Sequence, residues 1–139
     1  MYILDTNVIS ELRKAKSKSV NKKVIKWAKG ISPASLFLSI ITILELEIGI
    51  HAVARRDSSQ GALLRTWMET HVLPTFSDRI LLLDLAVAQR CARLHVPNKK
   101  SERDALIAAT ALVHGMTVVT RNVNDFGQTG VSLLNPWEA

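Results

Sequence analysis

Short apolar runs and helix-length amphipathic segments alternate along the chain, and this constrains the fold more than any other feature. Met1–Leu4, Leu36–Ile41, Arg79–Leu83 (RILLL), Thr117–Thr120 (TVVT) and Val131–Leu134 read as strands. Helix candidates fall between them at Asn7–Arg13, Val20–Lys29, Thr42–Ala54, Ser59–His71, Asp84–His95 and Glu102–His114, with Gly30 and Gly115 as stop signals and Pro97 as a breaker. Strands separated by helices pair in parallel through crossovers. The pattern therefore predicts an α/β chain with helices on both faces of a central, mostly parallel sheet. The strand runs are continuously apolar, as a sheet covered on both sides requires.

With 139 residues, 47% of them hydrophobic, the chain reads as one domain able to bury a core. Cys91 is the only cysteine, so an internal disulfide and a cysteine-based zinc site are excluded. No basic region followed by a long apolar run opens the chain, and no apolar stretch reaches the roughly 20 residues of a membrane span. The expectation is a soluble cytoplasmic protein.

The formal charge is +6, and the excess is concentrated. Leu12–Leu44 contains no acid but eight bases: Arg13, Lys14, Lys16, Lys18, Lys22, Lys23, Lys26 and Lys29. Such a block can bind a polyanion, or it can be a solvated helix face behind a basic loop.

Strand ends and helix starts share one edge of a strand–helix alternation, and ligands bind at that edge. Asp5 directly follows the first strand. Glu45 and Asp104 fall in the first turns predicted for the helices starting near Thr42 and Glu102, and Asp125 follows the fourth strand in TRNVNDF. Each acid also has a structural reading. Asp5 can cap the helix after it, Thr42–Glu45 and Ser101–Asp104 match capping boxes, and Asp125 can hold a turn. As a group they are harder to explain that way. Two carboxylates about 4 Å apart repel by about 4 kcal/mol at an effective dielectric of about 20. Such a cluster either takes up protons or holds a cation, and helix N-termini favour the ionised forms. Oxygen ligands without Cys or clustered His suit Mg²⁺, with Mn²⁺ as a substitute. Glu47 points away from Glu45 on a helix, Glu11 and Glu102 are expected in solvent, and Asp84 is expected to cap its own helix. The four histidines are scattered, and Cys91 reads as a small core hydrophobe.

MYILDTNVISEL, TILELEIGI, ERDALIAATALVHGMTVVTRNVNDF and LNPW, in this order, resemble a PIN-domain ribonuclease, most of all the VapC/FitB-type toxins of bacterial toxin–antitoxin pairs. The resemblance covers essentially the whole chain. It implies a three-layer α/β/α PIN-like fold and a metal-dependent endoribonuclease with Asp5, Glu45 and Asp104 as the first three acids. Asp5 and Asp104 would be the principal metal ligands, and Glu45 would bind a second ion or orient the water. Many members carry an acid directly after the Thr-Arg pair, where this chain has Asn122, so the fourth position falls to Asn122 or Asp125. Thr6 and Asn7 match the polar pair supporting the first acid, Ser39 and Thr120 read as polar pocket residues, and Arg121 is a candidate phosphate contact. The resemblance further implies an RNA substrate, a homodimer and a small cognate antitoxin with a DNA-binding end. Two other readings stay open from the residues alone: a non-catalytic RNA-binding or regulatory PIN-like protein, and, more weakly, a receiver-like domain. The latter needs an acidic pair after the first strand, where only Asp5 stands.

Overall fold

The computed structural model covers residues 1–139. The apolar runs form β1 (Tyr2–Leu4), β2 (Leu36–Ser39), β3 (Ile80–Leu81), β4 (Thr117–Val119) and β5 (Leu133–Leu134). They make one five-stranded sheet in the order β3-β2-β1-β4-β5, and every pairing is parallel. The helices are α1 (Thr6–Arg13), α2 (Lys22–Lys29), α3 (Ile40–Arg56), α4 (Ser58–Trp67), α5 (Leu73–Thr75), α6 (Leu85–Leu94) and α7 (Glu102–His114). No helix is long and apolar enough to cross a membrane.

Successive strand residues point to opposite faces, and here each face has its own core. Ile3 and Val118 pack with Val87, Cys91 and Leu94 of α6 and Ile107, Ala108 and Ala111 of α7. Their neighbours Leu4 and Val119 enter the other core, with Val8 and Ile9 of α1, Leu46 and Ile50 of α3, and Met68 and Val72. The result is the three-layer α/β/α arrangement. Truncating a fully buried strand residue such as Leu4 to Ala costs about 2–5 kcal/mol.

Several element boundaries differ from the sequence reading, each for a local reason. α3 begins at Ile40 rather than near Thr42, because the Ser39 hydroxyl accepts from the Ile41 N–H at 3.0 Å and caps the helix two residues earlier. α2 starts at Lys22 because Asn21 caps it, its side chain accepting from the Lys23 N–H at 3.0 Å. The fourth helix widens into a π-helical stretch at Met68–Val72 and continues as α5, where Pro74 has no N–H for the ladder.

β1 leads to β2 on one side of the sheet, while β4 joins β1 on the other. The crevice between the carboxyl ends of β1 and β4 is therefore the topological switch point. The ladder runs on into it. The Asp5 N–H donates to Val119 O at 2.9 Å, and the Thr120 N–H donates to Leu134 O at 3.0 Å.

Candidate active site

The residues that leave the sheet at this crevice line a cleft of about 430 Å³. Asp5 enters from the end of β1, Glu45 from α3, Asp104 from the first turn of α7, and Asn122 and Asp125 from the loop after β4. Four carboxylates from four separate segments thus meet at one edge. Asp5 is 7% exposed and its side chain is fixed at both oxygens. Oδ1 accepts from the Thr6 N–H at 2.9 Å, and Oδ2 accepts from the Thr120 hydroxyl at 2.8 Å and from Asn7 Nδ2 at 3.3 Å.

Glu45 lies in the second turn of α3 rather than the first, because of the earlier Ser39 cap. It returns no hydrogen bond to Thr42; its Oε1 accepts from the Thr6 hydroxyl at 2.7 Å, across 39 residues of sequence. The Thr42 hydroxyl is left buried without a partner. Ser39 is fully buried as the cap of α3 and does not line the cleft, so its part is to start the helix that carries Glu45. Thr120 is also fully buried and reaches the site through Asp5. Arg103 Nη1 lies 3.8 Å from Glu45 Oε2 at the rim.

Burial pushes the Asp5 carboxyl above its ordinary value; the bonds from Thr120 and the Thr6 N–H oppose this, and the charges of Glu45 and Asp125 add to it. Asp104 is likewise raised, by burial first and then by the charges of Asp5 and Asp125. The acids feel one another, and a cation among them would relieve both burial and repulsion. No three His, Cys, Asp or Glu side chains close into a ready cage for an ion.

Four cleft residues, Ser10, Glu11, Lys14 and Trp137, escaped the sequence reading. Glu11, expected in solvent, is 8% exposed. Its Oε2 accepts from the Asn21 N–H at 2.8 Å, and Lys14 Nζ lies 3.5 Å from its Oε1. Glu11 and Lys14 line the cleft, as does Trp137, whose ring lies 5.4 Å from the Arg121 guanidinium. The spacing of Asn7, Glu11 and Lys14 (i, i+4, i+7) was the available signal that they share a helix face. The other acids fall outside the cleft: Glu47 pairs with Arg65 at 2.7 Å, Asp84 caps α6, and Glu102 is exposed. No histidine lines it.

An open parallel α/β sheet with a carboxylate cluster at its switch point is the class that fold and site define. The PIN domain profile matches residues 2–131. The chain belongs to the PIN domain family. It is 38% identical over 146 aligned residues to plasmid stability protein StbB of Pseudomonas syringae pv. tomato, covering 100% of both chains. It is 36% identical to VapC ribonuclease Y4jK of Sinorhizobium fredii and 34% identical to toxin FitB of Neisseria gonorrhoeae, in each case over 99% of both chains. The crystal structure of FitAcB from Neisseria gonorrhoeae superposes with a TM-score of 0.89 at 33% identity, over 100% of both chains.

Proposed function

We propose that this chain is a metal-dependent endoribonuclease, the toxin of a toxin–antitoxin pair. The observation that carries this reading is the convergence of Asp5, Glu45, Asp104 and Asp125 on one cleft at the β1/β4 switch point. Relatives named as a VapC ribonuclease and as toxin FitB support the substrate class and the biological role. The likeness to FitAcB, and to FitAB bound to a DNA fragment at 34% identity, supports a small cognate antitoxin as partner, with a DNA-binding end. A single-domain homodimer acting in the cytoplasm completes the reading.

Asp5 and Asp104 would hold Mg²⁺ or Mn²⁺, with Glu45 and Asp125 at the sides of the cleft. The bound ion would acidify an attacking water and neutralise the leaving oxygen of the phosphodiester. The protein's own part is preorganisation. Thr6, Asn7 and Thr120 fix Asp5 before any ligand arrives, so its orientation costs nothing on binding. Thr6 holds Glu45 towards the same space from one oxygen, leaving the rest of the carboxylate to orient a water or a second ion. Lys14 and Arg121, on the cleft wall, place positive charge where an RNA backbone would pass.

The test is cleavage of single-stranded RNA in Mn²⁺ or Mg²⁺. Cleavage blocked by EDTA and abolished in Asp5→Ala and Asp104→Asn is expected. RNA bound but left intact by the wild type at every metal concentration would place the chain among non-catalytic binders instead.

A further inference from the structure

We infer that the basic face of α2 is an RNA-binding track that continues from the acidic cleft, with Trp27 as a base-stacking platform. The inference rests on the nuclease reading above and names where the substrate strand runs beyond the reacting phosphate.

The observations lie outside the cleft. Lys23, Lys26 and Trp27 line a separate hollow of about 470 Å³, together with Ala139. Lys22, Lys23, Lys26 and Lys29 are all exposed, and none takes part in an ion pair. The acid-free stretch from Leu12 to Leu44 explains this: no carboxylate is nearby in sequence to neutralise them. Unpaired surface lysines on one helix face present a positive field to a polyanion. Trp27 is half-buried and held by the ring of Tyr2, edge-on at 5.4 Å and 89°. A fixed indole between lysines is the combination that single strands bind, because every base has a face to stack and every nucleotide a phosphate to pair.

Two links join this hollow to the cleft. Trp137 lines the cleft and Ala139 lines the hollow, and two residues of chain span at most about 7 Å between Cα atoms. On the other side, Glu11 of the cleft wall accepts from the N–H of Asn21, the cap of α2. A strand leaving the acids over the Arg121–Trp137 pair therefore reaches the α2 lysines after a few nucleotides. An acidic protein segment would meet the same charges and could also pack on the indole, but only a strand whose phosphate reaches the acids has reason to run the whole way from the cleft to this hollow. The observations favour RNA.

The experiment compares Lys23→Gln/Lys26→Gln with the wild type on two substrates: a single-stranded RNA of about twenty nucleotides, and bis(4-nitrophenyl) phosphate, which is too small to leave the cleft. Arg55→Gln/Arg56→Gln removes the same charge from exposed positions in the last turn of α3 and serves as the control. Each single-strand phosphate contact contributes about 0.7 to the salt slope. The α2 variant should lose about 1.4 in the slope of log KM against log salt, or about 25-fold in KM at 0.1 M salt referred to 1 M. Its kcat on RNA and its rate on the small diester should stay unchanged. Trp27→Ala should raise KM on RNA, and Trp27→Phe should restore much of the loss. An unchanged KM and slope in the α2 variant would overturn the track, including the case where it instead loses affinity for an acidic protein partner. An equal effect in the α3 control would overturn it too, by reducing it to net charge. A wild type inactive on both substrates in Mn²⁺ would instead remove the nuclease reading itself.

Discussion

Replacing Asp5 by Asn and by Ala separates a carboxylate kept for a ligand from one kept for the fold. In the metal-free protein the two substitutions should differ in sign or nearly so. Asn keeps an oxygen for the Thr6 N–H and ranks with Asp as a helix cap, so the 2.9 Å cap bond survives. It also removes a buried charge that the neighbouring acids Glu45 and Asp125 oppose. Against this, the Asn amide nitrogen takes the place of Oδ2, which accepts from Thr120 and Asn7, so the two effects offset and Asp5→Asn should leave stability in EDTA about unchanged. Ala loses the cap, worth about 1 kcal/mol, and strips Thr120 of its acceptor, so a loss of about 1–2 kcal/mol is expected. For a chain of this size that is a fall of roughly 3–7 °C in Tm. Acidity supplies a second check. Because the folded Asp5 carboxyl is raised above 3.8, the folded state holds that proton more tightly than the unfolded chain. The stability this adds is complete below the unfolded value and is lost as pH rises through the folded one. Any advantage of Asp5→Asn should accordingly be present at neutral pH and fade on acidification. With Mn²⁺ at a hundred times its dissociation constant the wild type should gain about 2.7 kcal/mol, and neither variant should follow. Thermal and urea melts in EDTA and in Mn²⁺ measure all of this. An Asp5→Asn protein as destabilised in EDTA as Asp5→Ala would show that the charge itself holds the fold, and would refute the reasoning.

Two further predictions concern the scaffold. A Cβ at Gly61 would sit 2.5 Å from both Cα and Cβ of Ala54, so Gly61→Ala should prise α4 from α3 and cost about 1–3 kcal/mol in a urea melt despite the better helix propensity of Ala. Thr42→Val removes a buried hydroxyl that has no partner, so it should leave stability unchanged or raise it by about 1 kcal/mol, with cleavage retained.

The sequence displays the carboxylate edge because parallel strand–helix alternation fixes it by topology. Once the apolar runs are strands, Asp5 and Asp104 must share an edge. What was illegible depends on contacts made only in three dimensions. Glu11 reads as solvent-facing because its burial requires the chain after α1 to fold back and bring the Asn21 N–H onto it. The Thr42–Glu45 spacing reads as a capping box because nothing local shows that Ser39 caps first, or that Thr6 waits 39 residues away for Glu45. Trp137 falls within the LNPW run, but only the return of β5 to the sheet edge brings its ring beside Arg121.

Asn122 and Asp125 compete for the fourth position, and the hydrogen-bond directions around Thr120 assign them different tasks. The Thr120 hydroxyl has one proton. Asn122 N–H at 3.0 Å and Asn7 Nδ2 at 3.4 Å are donors, so the oxygen accepts from both and the proton goes to Asp5. Asn122 thus acts on the first acid through its backbone, which any residue except proline supplies. Asp125 acts through charge, since it raises both Asp5 and Asp104. Asn122→Ala should then keep Mn²⁺ affinity within about twofold, because the backbone donor persists. Asp125→Asn should weaken it about tenfold, corresponding to about 1.4 kcal/mol of lost attraction. Calorimetric titration of Mn²⁺ into the two variants measures the difference. A larger loss in Asn122→Ala than in Asp125→Asn would mean that the Asn122 side chain, and not the charge of Asp125, completes the ring of ligands.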